Sequence, residues 1–205
     1  MRVFVAILLL ILTGCGQQRS VPSIAATSQT VEVDVIVSFL QQRFVSHVPA
    51  GTPPVIEDTF SISHLYLSQS HDEFTRSLLS QASDRVPSDL IRDFCNKNKE
   101  AQVIWPEIAS RLQVRLLSRA EMDSLFSAQR NQKPNGWDRF YAKYPQSPGI
   151  ITVSRVGFNR KGDMAMFYVG SQSDWLAGSG QIHVFRKQDG KWVEGPFSIG
   201  PMWVS

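Results

Sequence analysis

Ser154, His183 and Asp58 are the residue types of a hydrolytic triad: a hydroxyl nucleophile, an imidazole base and a carboxylate to orient it. Asp163 is a second candidate for the acid. Such triads are defined by geometry, and no G-x-S-x-G elbow accompanies Ser154. On a strand, Ser154 is expected to face solvent or bond a neighbour. Four histidines, His47, His64, His71 and His183, stand far apart without H-x-x-x-H or H-E-x-x-H spacing. A zinc site needs three or four convergent ligands, so no metal is expected, and no cofactor motif appears. Glu57 and Asp58 are adjacent carboxylates. In a continuous strand they would point to opposite faces, which excludes the paired carboxylates of a glycosidase. Gly178-Ser179-Gly180 lacks the Lys-Ser/Thr and the following helix of a phosphate loop, and reads as a tight turn between strands.

Two further residues could bind rather than react. The planar guanidinium of Arg155 suits a carboxylate or phosphate. Pairing with a carboxylate such as Asp58 is the expectation, with a ligand anion as the alternative. Trp175 lies in 170–178, a stretch of small and polar residues that reads as a loop. An exposed tryptophan there would anchor a partner, whereas packing under the loop is the structural alternative. Cys95 follows Leu90, Ile91 and Phe94 and is expected to be a buried small hydrophobe.

The elements that must position these residues fall into two textures. Residues 31–48 carry apolar side chains at both strand and helix spacing, and their length and Pro49 favour a helix. Residues 55–60 read as a short strand. Ser70 and Glu73 have capping-box spacing ahead of a helix, as do Ser118 and Glu121. Pro87 opens another helix. Residues 112–116 alternate as a strand, 134–136 form a loop, and Trp137, Phe140, Tyr141 and Tyr144 recur at helical spacing. From Ile150 the chain reads as strands at 150–157, 164–170, 181–187, 191–194 and 202–204, with Gly162-Asp163 and Asp189-Gly190 at reversals. The expected fold class is α+β, with N-terminal helices packed on one face of a C-terminal antiparallel β-meander.

The net charge is +3, with basic residues scattered rather than striped, so nucleic acid is excluded as a partner. Only two cysteines exist, Cys15 and Cys95.

The front of the chain carries the most specific signal. Arg2, the uncharged apolar run Val3–Leu12, and the small residues before Cys15 form a secretory signal over residues 1–14, too short to span a membrane. Leu12-Thr13-Gly14-Cys15 resembles the lipobox of bacterial lipoproteins. The resemblance implies that the Cys15 thiol takes a diacylglycerol and becomes the first mature residue. Two or more acyl chains anchor firmly, so the expected partner is a membrane, reached through lipid on Cys15. In enterobacterial lipoproteins an Asp after that cysteine signals inner-membrane retention. Gly16 stands here, which favours the outer membrane over the cell membrane, with the protein facing the periplasm. Residues 15–30 make the lipidated cysteine and a polar tether, and 31–205 a single domain.

Asp93-Phe94-Cys95-Asn96-Lys97-Asn98, Trp137-Asp138-Arg139-Phe140-Tyr141 and, most distinctively, Ser154-Arg155-Val156-Gly157-Phe158-Asn159 resemble an uncharacterised family of exported bacterial proteins. The resemblance spans most of the mature chain and implies no particular activity. Relatives can carry a cysteine pair in the stretch 172–180. Ser173 and Ala177 stand in those places here, so no redox role is implied. The functional expectation is a binding module of the cell envelope, taking an envelope protein or glycan. The alternatives are a hydrolase of an envelope substrate, with Ser154, His183, Asp58 or Arg155 in a cleft, and a small-ligand carrier with a cavity under the helices.

Overall fold

The computed structural model describes residues 24–49, 52–62, 65, 70–82, 85–127 and 132–204. The signal segment 1–14, Cys15 and the first part of the tether lie outside the described residues, as does His64.

The ambiguous N-terminal run folds as helix α1 (Ile24–Arg43), which begins inside the stretch assigned to the tether. It buries Glu32, Val33, Val35, Ile36, Phe39 and Leu40, the stripe that helical periodicity places on one face. A strand would have split these residues between two faces. A short 3-10 turn, Val45–His47, follows.

Residues 55–60 do not form one strand. They give β1 (Val55–Glu57) and β2 (Thr59–Phe60), which belong to different sheets, so the chain bends at Asp58. Next come α2 (His71–Gln81) and α3 (Ser88–Lys97). Ser70 and Glu73 complete the expected capping box, while Pro87 sits at the N-cap of α3. Then follow β3 (Gln102–Val103), α4 (Pro106–Leu112) and β4 (Arg115–Leu117). The strand expected from Leu112 is therefore shorter. Pro106 starts a helix turn whose last residue is Leu112, and Gln113 ends it in the left-handed region at φ 54°. Pro106 was the overlooked signal, since proline is well suited to the first helical position.

α5 (Arg119–Leu125) has half of its expected box: Ser118 accepts from the Glu121 N–H, but the Glu121 carboxylate instead takes the Tyr144 hydroxyl and Lys143. α6 (Gly136–Lys143) is capped by Asn135 and Asp138 in a full capping box. The expected loop at 134–136 thus ends in a helix start.

The meander is present as β5 (Ile150–Val153), β7 (Met164–Asp174), β8 (Ala177–Gln188) and β9 (Lys191–Val204), each antiparallel to the one before. A two-residue strand, β6 (Gly157–Phe158), pairs with β7. Asp189 and Gly190 both have positive φ, 48° and 79°, which fits the two-residue hairpin expected there. The main sheet runs β4-β1-β5-β7-β8-β9, and β1 is parallel to both β4 and β5. The fold is α+β with a mixed sheet.

The helices do not share one face. α1 and α4 cover Ile56, Ile151, Val153, Phe167 and Val169, whereas α2 and α3 cover Met164, Met166, Tyr168, Ile182 and Val184. α5 and α6 close over Val55, Leu117 and Ile150. The reason lies in β7, where every residue from Met164 to Gly170 is buried. A strand apolar at consecutive positions has no solvent face and needs cover on both sides. Phe39, Phe167 and Phe185 form an aromatic knot within the first of these layers, with centroids 5.4–5.7 Å apart.

Candidate functional site

The segments Asp93–Asn98 and Ser154–Asn159 bind one another. Residues 154–156 leave the β5 ladder, and α3 supplies the partners their backbone loses. Asn98 Oδ1 accepts from Arg155 N (2.8 Å) while its Nδ2 donates to Arg155 O (3.0 Å). Lys97 Nζ donates to Val156 O (3.1 Å), and Asp93 Oδ2 accepts from Phe158 N (2.7 Å). Ser154 is fully buried; its hydroxyl donates to Arg155 O (2.9 Å) and accepts from Tyr168 N (2.8 Å). Asn159 Oδ1 receives the N–H groups of Asp163 and Met164 and closes the turn before β7. Arg155, Val156 and Phe158 thus bond to α3 and its cap, while Ser154 and Asn159 bond within the sheet and its turn.

Arg155 makes the expected structural pair, but with Glu32 rather than Asp58. The guanidinium meets the α1 carboxylate through two bonds, Nε–Oε2 at 2.8 Å and Nη2–Oε1 at 2.9 Å. Glu32 is fully buried and also accepts from Val156 N (3.2 Å), with Lys97 Nζ 3.4 Å away. The Arg155 guanidinium stacks over Trp105 at 4.6 Å. Nothing in residues 31–48 marked Glu32 as this partner except a carboxylate on the apolar stripe of a helix.

The triad types are not brought together. His183, on β8, uses Nδ1 to donate to Glu194 Oε1 (2.7 Å), and Arg43 binds the other carboxylate oxygen (3.0 Å). Its ring packs on Phe39, 4.5 Å between centroids. Burial pushes the imidazole below its usual range, outweighing the pull of Glu194. The unfolded chain then binds more protons below its own histidine pKa, near 6.5. Stability is therefore flat above that value and falls as pH drops through it toward the folded value. Glu194 is buried too, which raises it, but the bonds from His183 and Arg43 hold it below the usual carboxylate range. Its loss comes at lower pH, below about 4.5. Urea midpoints from pH 8 to 5 should show the first decline in the parent and not in His183→Gln; parallel curves would refute it.

Where chemistry could occur is a cleft of about 800 Å³ between the β1–β2 bend, α5 and the β7–β8–β9 end of the sheet. It gathers two of the four candidate residues, Asp58 and Trp175, and leaves Arg155 and His183 outside. The bend at Asp58 matters most. A continuous strand would have turned Glu57 and Asp58 to opposite faces, but the chain changes sheet there and both residues line the cleft. Glu57 Oε1 accepts from Thr152 Oγ1 (2.9 Å), and burial raises its pKa. Neither carboxylate has a cation at ion-pair distance among the described residues. Arg119 also lines the cleft but pairs with Asp123 at 3.1 Å.

The aromatic walls are Phe126, Trp137, Trp175 and Trp203. Trp175 is not an exposed loop residue. The stretch read as a loop is the β7–β8 hairpin; Trp175 sits at its turn, half-buried and edge-on to Phe126 (5.8 Å), while Leu176 beside it is 71% exposed. Across the same turn, Ser173 Oγ donates to Ala177 O (3.3 Å). Trp203 donates from Nε1 to the Tyr168 hydroxyl (2.7 Å). Gly178 and Gly180, expected in a turn, lie in β8 and make room for that indole. A Cβ on Gly180 would stand 2.2 Å from the Tyr168 hydroxyl and 2.4 Å from Trp203 Nε1. Gly180→Ala should therefore displace Trp203, lowering stability by about 1–3 kcal/mol and reddening the tryptophan emission. An unshifted spectrum would count against the contact.

Glu57 also makes a stability prediction. Glu57→Gln keeps an acceptor for Thr152 and removes a carboxylate that burial disfavours. It should raise stability at pH 7 by about 0.5–1 kcal/mol. The gain should fade as pH falls below the folded pKa and vanish below about 4.5, where both side chains are neutral. A loss of stability at pH 7 would show that the carboxylate is stabilised in place.

Among the described residues no group of His, Cys, Asp or Glu could hold a metal ion, and no helix is long and apolar enough to cross a membrane. Cys95 is buried, with its thiol pushed up by burial. Comparison with protein-family models, curated proteins and solved structures returns no match.

Proposed function

We propose that this protein is a lipid-anchored module of the cell envelope, held at the cell membrane or outer membrane through Cys15 and facing the periplasm, whose folded domain binds a small ligand. The anchor rests on the lipobox-like Leu12-Thr13-Gly14-Cys15. Binding rests on one observation: a cleft of about 800 Å³ that combines three indoles with two carboxylates lacking a cationic partner among the described residues. Apolar walls with a few convergent polar groups are the usual make-up of a ligand pocket. The cleft supports the carrier reading over a flat protein-docking face, and the occupied hydroxyl of Ser154 gives hydrolysis through that residue no support.

Two measurements test the halves separately. The mature mass of the parent should exceed that of Cys15→Ser by the acyl chains; equal lipid content would remove the anchor. For binding, the Tm and tryptophan emission of the full chain in detergent are followed against sugars, amines, amino acids and short peptides at millimolar concentration. A ligand at a hundred times its Kd should stabilise by about 2.7 kcal/mol. No response to any class would overturn the ligand reading.

A further inference from the structure

The cleft's charge and walls together narrow what it takes. Of the charged residues lining it, Glu57 and Asp58 are unpaired by any cation among the described residues, whereas Arg119 is engaged by Asp123. A carboxylate partly withdrawn from water is costly unless a cation and hydrogen bonds offset the loss. Glu57 has one hydrogen bond, from Thr152, and no cation at ion-pair distance among the described residues, Arg119 attracting it only from farther away. The facing walls are indole and phenyl rings, Trp175 against Phe126 and Trp203 beside Gly178. Ring faces attract organic cations, tryptophan most strongly. Trp137 also lines the wall and is 5% exposed.

We propose, resting on the ligand-binding reading above, that the cleft binds an organic ammonium ion, such as an amino alcohol or amino sugar. Its ammonium head meets Glu57 and Asp58, and its carbon face lies against the indoles. A neutral polyol would leave both carboxylates without a counter-charge. An anion would meet two like charges, since Arg119 is already held. Burial, with a smaller push from Asp58, raises Glu57 against the opposing pulls of Thr152 and Arg119; a bound cation draws its proton off, so affinity should increase with pH through the folded Glu57 titration.

The test uses matched probes: choline against its neutral carbon isostere 3,3-dimethylbutan-1-ol, and glucosamine against glucose, in which a hydroxyl replaces the ammonium. Binding to the full chain in detergent is read by tryptophan emission and by Tm. The expected result is that at least one ammonium member binds about tenfold more tightly than its neutral counterpart. Glu57→Gln and Asp58→Asn, checked for parental circular dichroism, should each bring that ratio toward one. Equal or tighter binding of the neutral members overturns the ammonium assignment and leaves the ligand-binding reading standing. Failure of these four probes while another class binds also overturns the ammonium assignment alone. Failure of every class removes both.

Discussion

Gly157→Ala should destabilise the domain by about 3 kcal/mol or more, the upper end of overpacking effects. A Cβ at this position would lie 2.5 Å from Phe94 N and 2.6 Å from Phe94 Cα and Cβ. The obstruction is mostly helix backbone, so no side chain can swing away to relieve it. α3 would have to retreat from β6 as a unit. With it would go the Asp93 bond to Phe158 N and both Asn98 bonds to Arg155. The measurement is the urea midpoint, with the slope of the transition as a check that the variant still unfolds in one step. Gly162→Ala is the comparison. Gly162, unlike Gly157, has positive φ, 69°, and nothing lies within 4 Å of its added Cβ. Its cost should be the backbone strain alone, about 1 kcal/mol. Equal effects at the two glycines would mean that the helix does not rest on Gly157.

The second large effect belongs to Glu32. Glu32→Ala should cost about 3–5 kcal/mol, because it leaves the Arg155 guanidinium beside a buried gap with no carboxylate, while Lys97 keeps Asp93 at 3.0 Å. Three groups depend on this one carboxylate: the Arg155 guanidinium, Val156 N and, at 3.4 Å, Lys97 Nζ. Most of that cost is the penalty of a stranded charge, which makes a double replacement informative. Glu32→Leu with Arg155→Met removes both members and should recover much of the loss, since apolar replacements of buried ion pairs are often neutral or better. Stabilities from urea unfolding of Glu32→Leu, Arg155→Met and the pair complete the cycle. A double variant as unstable as the sum of these singles would show no coupling between the two side chains and would overturn the stranded-charge account.

How far these features could be read from the chain differs by range. Ser70 with Glu73 and Asp189 with Gly190 were legible, because a cap or a two-residue turn involves only neighbours in sequence. Cys95 among Leu90, Ile91 and Phe94 was legible as core for the same reason. Met164–Gly170 held a clue that was passed over: an apolar residue at every position already requires cover on both faces, and helices on one face could not provide it. Pro106 likewise marked a helix start that strand alternation at 112–116 obscured. The Gly178–Gly180 stretch was misread as a turn because glycine serves two ends, positive φ and close approach, and only the neighbours Tyr168 and Trp203 show which applies.

The sequence alone determined the α+β class, the Ser70–Glu73 cap and the C-terminal meander. Tertiary structure decided which residues meet. Arg155 finds Glu32 across 123 positions, a choice made by the route of α1 across the sheet and by no local pattern. Glu57 and Asp58 share a cleft because the chain leaves one sheet for another between them. Strand alternation assigns side chains to faces only while the ladder continues, and where it ends is set by which strands pair.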